Sequence, residues 1–151
     1  MLQHDFERSI GYWIVSTANA LERALNEELV RHGITVRQWQ VLAWLALEGE
    51  LTQSELVERM RIEASTLVGI LDRMERDGWV TRIGCPTDGR KKLVRPTERV
   101  EPIWAQTVAC VRKVRARATR GIAPERIELV MDVLAAMQDN LATRSAVLEQ
   151  V

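Results

Sequence analysis

Between Phe6 and about Leu29, apolar side chains recur at Phe6, Ile10, Trp13, Ile14, Ala18, Leu21, Leu25 and Leu29. Steps of three and four place them on one stripe of a long helix. His32-Gly33 ends it, with Gly33 suited to a left-handed cap. A second helix is predicted from the N-cap Thr35, with Val36, Trp39, Leu42 and Leu45 facing inward and Gly49 closing it. Leu51-Thr-Gln-Ser-Glu55 is a helix start with a mechanism. Thr52 accepts from the N–H three residues on, and Glu55 reaches back to the N–H of Thr52. That helix is short, because Met60-Arg-Ile-Glu63 turns the chain into another, where Leu67, Ile70, Leu71 and Met74 form a narrow buried stripe. Asp77-Gly78 ends it. Trp79–Ile83 then alternates as a strand, Gly84–Gly89 is dense in turn formers, and Lys91–Arg95 is the return strand. The predicted unit is helix, short turn, helix, then a two-stranded ribbon with a long tip.

Beyond Thr97 the pattern is helical again, to about Arg120. Pro102 stands near the start of that helix, where a proline is accommodated with a modest bend. Gly121-Ile-Ala-Pro124 separates it from a last helix in which Ile127, Val130, Leu134, Met137 and Leu141 recur in steps of three and four. The terminal helices carry more apolar stripe than the small central unit can cover, and a symmetric dimer is the simplest cover. The expected fold is mainly α with a small β-wing. Residues 35–97 are the winged helix-turn-helix lobe, and residues 1–34 and 98–151 supply dimerisation helices.

Composition narrows the classes without choosing among them. The chain of 151 residues is 46% hydrophobic and 28% charged, an ordinary globular balance. Its 21 basic residues match its 21 acidic ones, so any basic footprint must be local. Cys85 and Cys110 form no CxxC pair, and His4 and His32 are the only histidines, which argues against a metal site. There is no Gly-rich phosphate loop and no nucleophile motif, so neither an enzyme nor a cofactor is expected. The N-terminus lacks a signal-peptide pattern, and no apolar run approaches the roughly 20 residues of a membrane span. A soluble, cytoplasmic protein without a membrane partner is expected.

In a helix-turn-helix the second helix lies in the major groove of double-stranded DNA. With Leu67 and Met74 inward, Ser65, Gly69, Asp72 and Arg76 point outward, flanked by Thr66, Val68 and Arg73. Ala64, Ser65, Thr66 and Gly69 are small enough to let the backbone approach base edges, and Val68 suits a thymine methyl. A mid-helix glycine costs about 1 kcal/mol relative to alanine, so Gly69 reflects either close approach or packing. The ribbon supplies the charge. Arg82, Arg90, Lys91, Lys92 and Arg95 stand against the single acid Asp88, a local excess of four positive charges. Asp88, two residues from Arg90, is placed to hold its guanidinium for a narrow minor groove.

These residues carry a resemblance. Leu51-Thr-Gln-Ser-Glu-Leu, Ser65-Thr, Leu71-Asp-Arg-Met-Glu-Arg-Asp-Gly-Trp-Val80, Asp88-Gly-Arg90 and Leu93-Val-Arg-Pro-Thr97 resemble the MarR (multiple antibiotic resistance regulator) family of bacterial transcription factors. Gly33-Ile-Thr-Val-Arg-Gln-Trp-Gln-Val-Leu42 is similar to the family's second helix. The resemblance implies a homodimer on a pseudo-palindromic operator, usually a repressor, released by a small ligand or an oxidant. By position it places Ser65, Thr66, Val68 and Gly69 on the base-reading surface and Thr52 and Gln53 at the phosphate-contacting start of the supporting helix. Arg90 is the wing arginine and Asp88 its orienter; Arg73, Lys91 and Lys92 complete the expected DNA contacts. Val68 and Gly69 depart from the polar or basic side chains common there, and Glu63 is a weaker cap than the usual Asp. An effector pocket for a small aromatic or amphipathic molecule is expected at Trp13, Ser16, Trp39 and Trp104.

Other readings compete. Ser65 and Thr66 serve equally as helix caps, and lysines commonly protect edge strands. Arg112, Lys113, Arg115, Arg117 and Arg120 spread around their helix, as a solvated surface or as partners for acids elsewhere. Cys85 beside the wing turn offers a redox-responsive alternative, although the hydroperoxide-sensing branch uses a first-helix cysteine and none precedes Cys85. Cys110 reads as a small buried hydrophobe. A winged-helix protein-interaction module is a further alternative.

Overall fold

A computed structural model describes residues 6–148, without the side chains of Glu7 and of residues 143–148. His4 and the outermost parts of the two terminal segments, 1–5 and 149–151, lie outside the described residues. The N-terminal stripe becomes helix later than its periodicity predicts. Phe6–Arg8 form a 3-10 turn, and Ser9, extended at φ −72° and ψ 124°, is the N-cap of α1 (Ile10–Leu29). Serine favours such a position over a helix interior, and that local preference interrupts the stripe. A 3-10 turn, Val30–His32, follows, and Gly33 closes it in the left-handed conformation at φ 73°.

α2 (Val36–Glu48) opens on the expected Thr35, here in a full capping box with Gln38. Gln38 N–H donates to Thr35 Oγ1 at 3.3 Å, and Thr35 N–H donates to Gln38 Oε1 at 2.9 Å. Asn26 of α1 accepts the N–H of Val36 at 2.9 Å, which anchors the start of α2 to the preceding helix. Val36, Leu42 and Leu45 are buried as predicted, Trp39 is half-buried, and Val41 joins them.

The ribbon is a three-stranded antiparallel sheet rather than a two-stranded one. Its strands are β1 (Leu51–Thr52), β2 (Val80–Gly84) and β3 (Lys92–Pro96), in the order β1-β3-β2. Leu51 pairs with Val94 and Thr52 with Leu93. Two residues are too few to show alternation, so this strand had no periodic signal. The same Thr52 caps α3 (Gln53–Met60): its N–H donates to Glu55 Oε2 at 2.7 Å, and Glu55 N–H donates to its hydroxyl at 3.2 Å. α3 ends on Arg61, left-handed at φ 51° and ψ 47°, a conformation disfavoured for a residue with a Cβ. That turn leads into α4 (Ala64–Arg76).

All four predicted stripe residues of α4 are in the core: Leu67, Leu71 and Met74 are fully buried and Ile70 nearly so. They pack in one cluster with Leu56 of α3 and Val80 and Val94 of the sheet. The same cluster takes in Leu29, Ile34, Val100 and Val111, beyond both edges of the central segment. Gly78, at φ 77°, lets the chain leave α4, and the Thr97 hydroxyl donates to its carbonyl at 2.6 Å. Arg99 covers Trp79 with its guanidinium 5.1 Å from the ring centroid.

After a 3-10 turn, Glu98–Val100, α5 runs Glu101–Ala118 with Pro102 in its first turn, where a missing N–H loses no helix bond. α6 (Pro124–Leu148) starts on Pro124, as predicted. The chain divides into two compact units, one up to Val114 and one from Arg115 onward. Among the described residues no helix is long and apolar enough to cross a membrane.

The α3 cap makes a pH prediction. Hydrogen bonds from Thr52 hold the Glu55 carboxyl below the usual glutamate range. A lowered folded-state value means that this stabilisation is fully present above the ordinary glutamate range and is lost as pH falls from there through the lowered folded-state value. Glu55→Gln is therefore expected to lower the melting temperature at pH 7, with the difference from the parent shrinking towards pH 3. A pH-independent difference would sink this account.

Candidate nucleic-acid interface

The outward face of α4 begins without a side-chain cap. Glu63 takes the extended N-cap conformation, yet its carboxylate makes no cap hydrogen bond. The positive end of the helix is thus left for an external anion. Ser65 and Thr66 are exposed, Val68 is 39% exposed and Gly69 is half-buried. A Cβ built on Gly69 would meet only Arg73 Nη1, at 3.8 Å, so internal packing does not require the glycine. The guanidinium of Arg73 lies back along the same face at an ordinary van der Waals distance.

The wing tip is ordered by its own backbone. Cys85 N–H donates to the Lys91 carbonyl at 3.0 Å, and Lys91 N–H donates to the Asp88 carbonyl at 2.9 Å. Asp88 Oδ1 accepts the backbone N–H of Arg90 at 3.1 Å. The expected hold on the guanidinium is corrected by this contact. The carboxylate shapes the turn, as short acidic side chains do two residues upstream of an N–H, and no ion pair joins it to Arg90 among the described residues.

The basic count of the ribbon also changes. Arg82 Nη2 lies 2.7 Å from Asp72 Oδ1 and 2.6 Å from Glu75 Oε2, and its backbone N–H donates to Glu75 Oε1 at 3.1 Å. The Arg82 hydrogen bonds hold the Glu75 carboxyl below its usual range, while those carboxylates hold Arg82 above its own. Arg95 pairs with Glu50. Arg90, Lys91 and Lys92 are therefore the exposed cations of the ribbon that join no ion pair among the described residues. Arg82 has another effect: it joins β2 to α4 and neutralises two acids on that helix. Asp72 and Glu75, three residues apart on one helix, were its only sequence trace.

Thr52 is buried, with its hydroxyl engaged by Glu55. Gln53 is half-buried and lines a groove between α3 and α4 with Ser54, Ala64 and Val68. Cys85 is half-buried, and its sulfur lies 3.2 Å from Thr87 Oγ1, the contact that chiefly pulls the thiol below its usual range. Of the second basic cluster, Lys113 pairs with Glu28 at 2.9 Å. Cys110 is half-buried with its sulfur 3.5 Å from His32 Nε2.

The four residues expected to wall one effector pocket fall in different places. Trp39 and Trp104 stack at 5.9 Å with an interplanar angle of 12°, and the buried indole N–H of Trp39 has no hydrogen-bond partner among the described residues. Trp104 lines an apolar cleft of about 480 Å³ with Leu42, Ala46, Pro96 and Val100. Neither Trp13 nor Ser16 lines it. Trp13 is 59% exposed and edge-on to Tyr12, and Ser16 lines a groove on α1 with Asn19 and Asn26. α1 turns these two away from the core.

A profile described as the MarR family matches residues 32–91. A mutant MarR from E. coli, solved in complex with operator DNA, is 26% identical with a TM-score of 0.81, covering 89% of this chain and 99% of that one. A MarR-family transcriptional regulator from Rhodococcus sp. RHA1 is 25% identical with a TM-score of 0.79, covering 89% and 97%. CouR from Rhodococcus jostii RHA1, bound to p-coumaroyl-CoA, shares the fold at 24% identity and a TM-score of 0.78, covering 89% and 95%. The matched profile spans the supporting helix, the exposed small-residue helix and the wing turn just described, and over these residues the chain is similar to the MarR family of winged-helix transcriptional regulators.

Proposed function

We propose that the protein is a cytoplasmic homodimeric repressor that binds a pseudo-palindromic operator and is released by a small-molecule effector. Ser65, Thr66, Val68, Gly69 and Arg73 read the major groove, and Arg90, Lys91 and Lys92 enter the minor groove. Gln53 and the N–H groups at the start of α3 meet phosphate, with Thr52 and Asp88 shaping the backbone that presents these contacts. The observation that carries the reading is the Arg82 bridge, because it ties the wing to the helix whose small residues face outward. The operator complex of the E. coli relative supports the DNA contact.

Residues 35–97 are the DNA-binding lobe in this reading, and 1–34 and 98–151 the dimerisation region. Exposed Ile10 and Trp13 on α1, and exposed Leu129, Met131 and Leu141 on α6, support a partner for each helix. The ligand in CouR supports an effector site in this fold, and the Trp39–Trp104 stack beside the apolar cleft is its place here.

The test is selection of duplexes from a random-sequence pool followed by footprinting of the winner. Two inverted half-sites about one helical turn apart, roughly 34–36 Å, are expected. Enrichment of a single half-site, or of none, contradicts the dimeric operator reading. A promoter carrying the selected sequence is expected to be silenced by the protein.

A further inference from the structure

The cleft beside Trp104 combines apolar walls with charge of one sign. Leu42 and Ala46 of α2, Pro96 at the end of β3, and Val100 and Trp104 form most of its surface. Glu98 and Glu101 line the same cleft, and no lysine, arginine or histidine does. Arg99, the base between them in sequence, is held elsewhere: it lies over Trp79 and donates to the Asp77 carbonyl at 2.9 Å. Among the described residues neither glutamate takes part in an ion pair or a side-chain hydrogen bond. An acid in a first helical turn is favoured by the helix dipole, which accounts for Glu101 as a local choice. Both carboxylates are exposed, and they place negative charge at the rim of the indole-walled apolar cleft.

We propose that this cleft binds a lipophilic cation, with its apolar body against Trp104 and Val100 and its ammonium group held by Glu98 and Glu101. Burial of the apolar body supplies affinity, and the placed polar groups supply selection. The cation is attracted both by the carboxylates and by the face of an indole, whereas an anionic aromatic of equal size meets like charge. The site also touches the DNA-binding elements. Pro96 and Thr97 end the wing strand, and Thr97 is hydrogen-bonded to Gly78 at the end of α4. The assignment rests on the effector reading for its regulatory consequence, and stands apart from it for binding itself.

Calorimetric titration of the full-length protein with 2-naphthylmethylammonium and 2-naphthoate presents one ring system with opposite charges. The cation is expected to bind about tenfold more tightly than the anion. The double variant Glu98→Gln, Glu101→Gln is expected to remove most of that preference while keeping the parent's melting temperature. A cation that does not bind, an anion that binds as tightly, or a double variant with undiminished cation affinity overturns the proposal. DNA release is measured separately on a duplex the protein has selected. If 2-naphthoate binds better and releases DNA, the cation assignment falls and the effector reading stands. If the cation binds through the two glutamates without releasing DNA, the cleft assignment stands and the effector reading falls.

Discussion

Replacing Arg90, Lys91 and Lys92 together by alanine is expected to weaken binding to a selected duplex by roughly 100- to 10,000-fold near physiological salt. The three cations are exposed at one wing, so a dimer loses six. If all six neutralise phosphates, the slope of log affinity against log salt flattens by up to about 5. Melting temperature is expected to stay within a few degrees, because none of the three is in the core. Gel retention across a salt series measures both quantities. Unchanged affinity and slope would remove the wing from the interface and favour a protein-interaction module. Arg82→Gln is the informative companion. It leaves the tip cations in place but exposes the carboxylates of Asp72 and Glu75 on α4 and removes the side-chain bridge from β2. About tenfold weaker DNA binding is expected, with little loss of stability because both acids are substantially solvated.

The second large effect concerns the other side of α4. Leu71→Ala removes a fully buried side chain packed among Leu56, Leu67, Val80 and Val94. A cavity at such a site costs about 2–5 kcal/mol, which lowers the melting temperature by roughly 5–15 °C. Val68→Ala on the outward face is expected to change stability by no more than about 0.5 kcal/mol while altering DNA affinity or preference. Thermal unfolding of both variants checks the orientation of the helix. Equal destabilisation by the two substitutions would mean that the inward and outward faces are assigned wrongly.

Signals carried within a few residues were legible. The N-cap at Thr35, the capping box at Thr52, the left-handed Gly33, the helix stop at Gly78 and the start of α6 at Pro124 all depend on backbone groups no more than a turn away. The α4 stripe was legible because four large residues at helical spacing can bury only one face. Arg61 was not, since nothing in its type favours positive φ; the chain must reverse there to seat α4 against α3. The second strand partner of β3 was equally silent, because Leu51 and Thr52 become a strand only when β3 lies beside them.

The candidate site divides in the same way. Exposure of Ser65, Thr66 and Val68 follows from helical spacing, and the exposed basic wing tip follows from turn residues between two strands. Which charges act outward was a tertiary decision. Arg82 and Arg95 belong to the basic ribbon in sequence, but folding pairs them with acids from α4 and from the segment before β1. Trp104 likewise meets Trp39 across a gap of 65 positions, whereas Trp13 is turned to the surface by its helix. Local spacing specified the starts of α2, α3 and α6, the buried face of α4 and the positions of the charged residues along the chain. Which of those charges cancel and which aromatic rings stack follow from packing, because both depend on distances of a few ångströms between elements that periodicity does not relate.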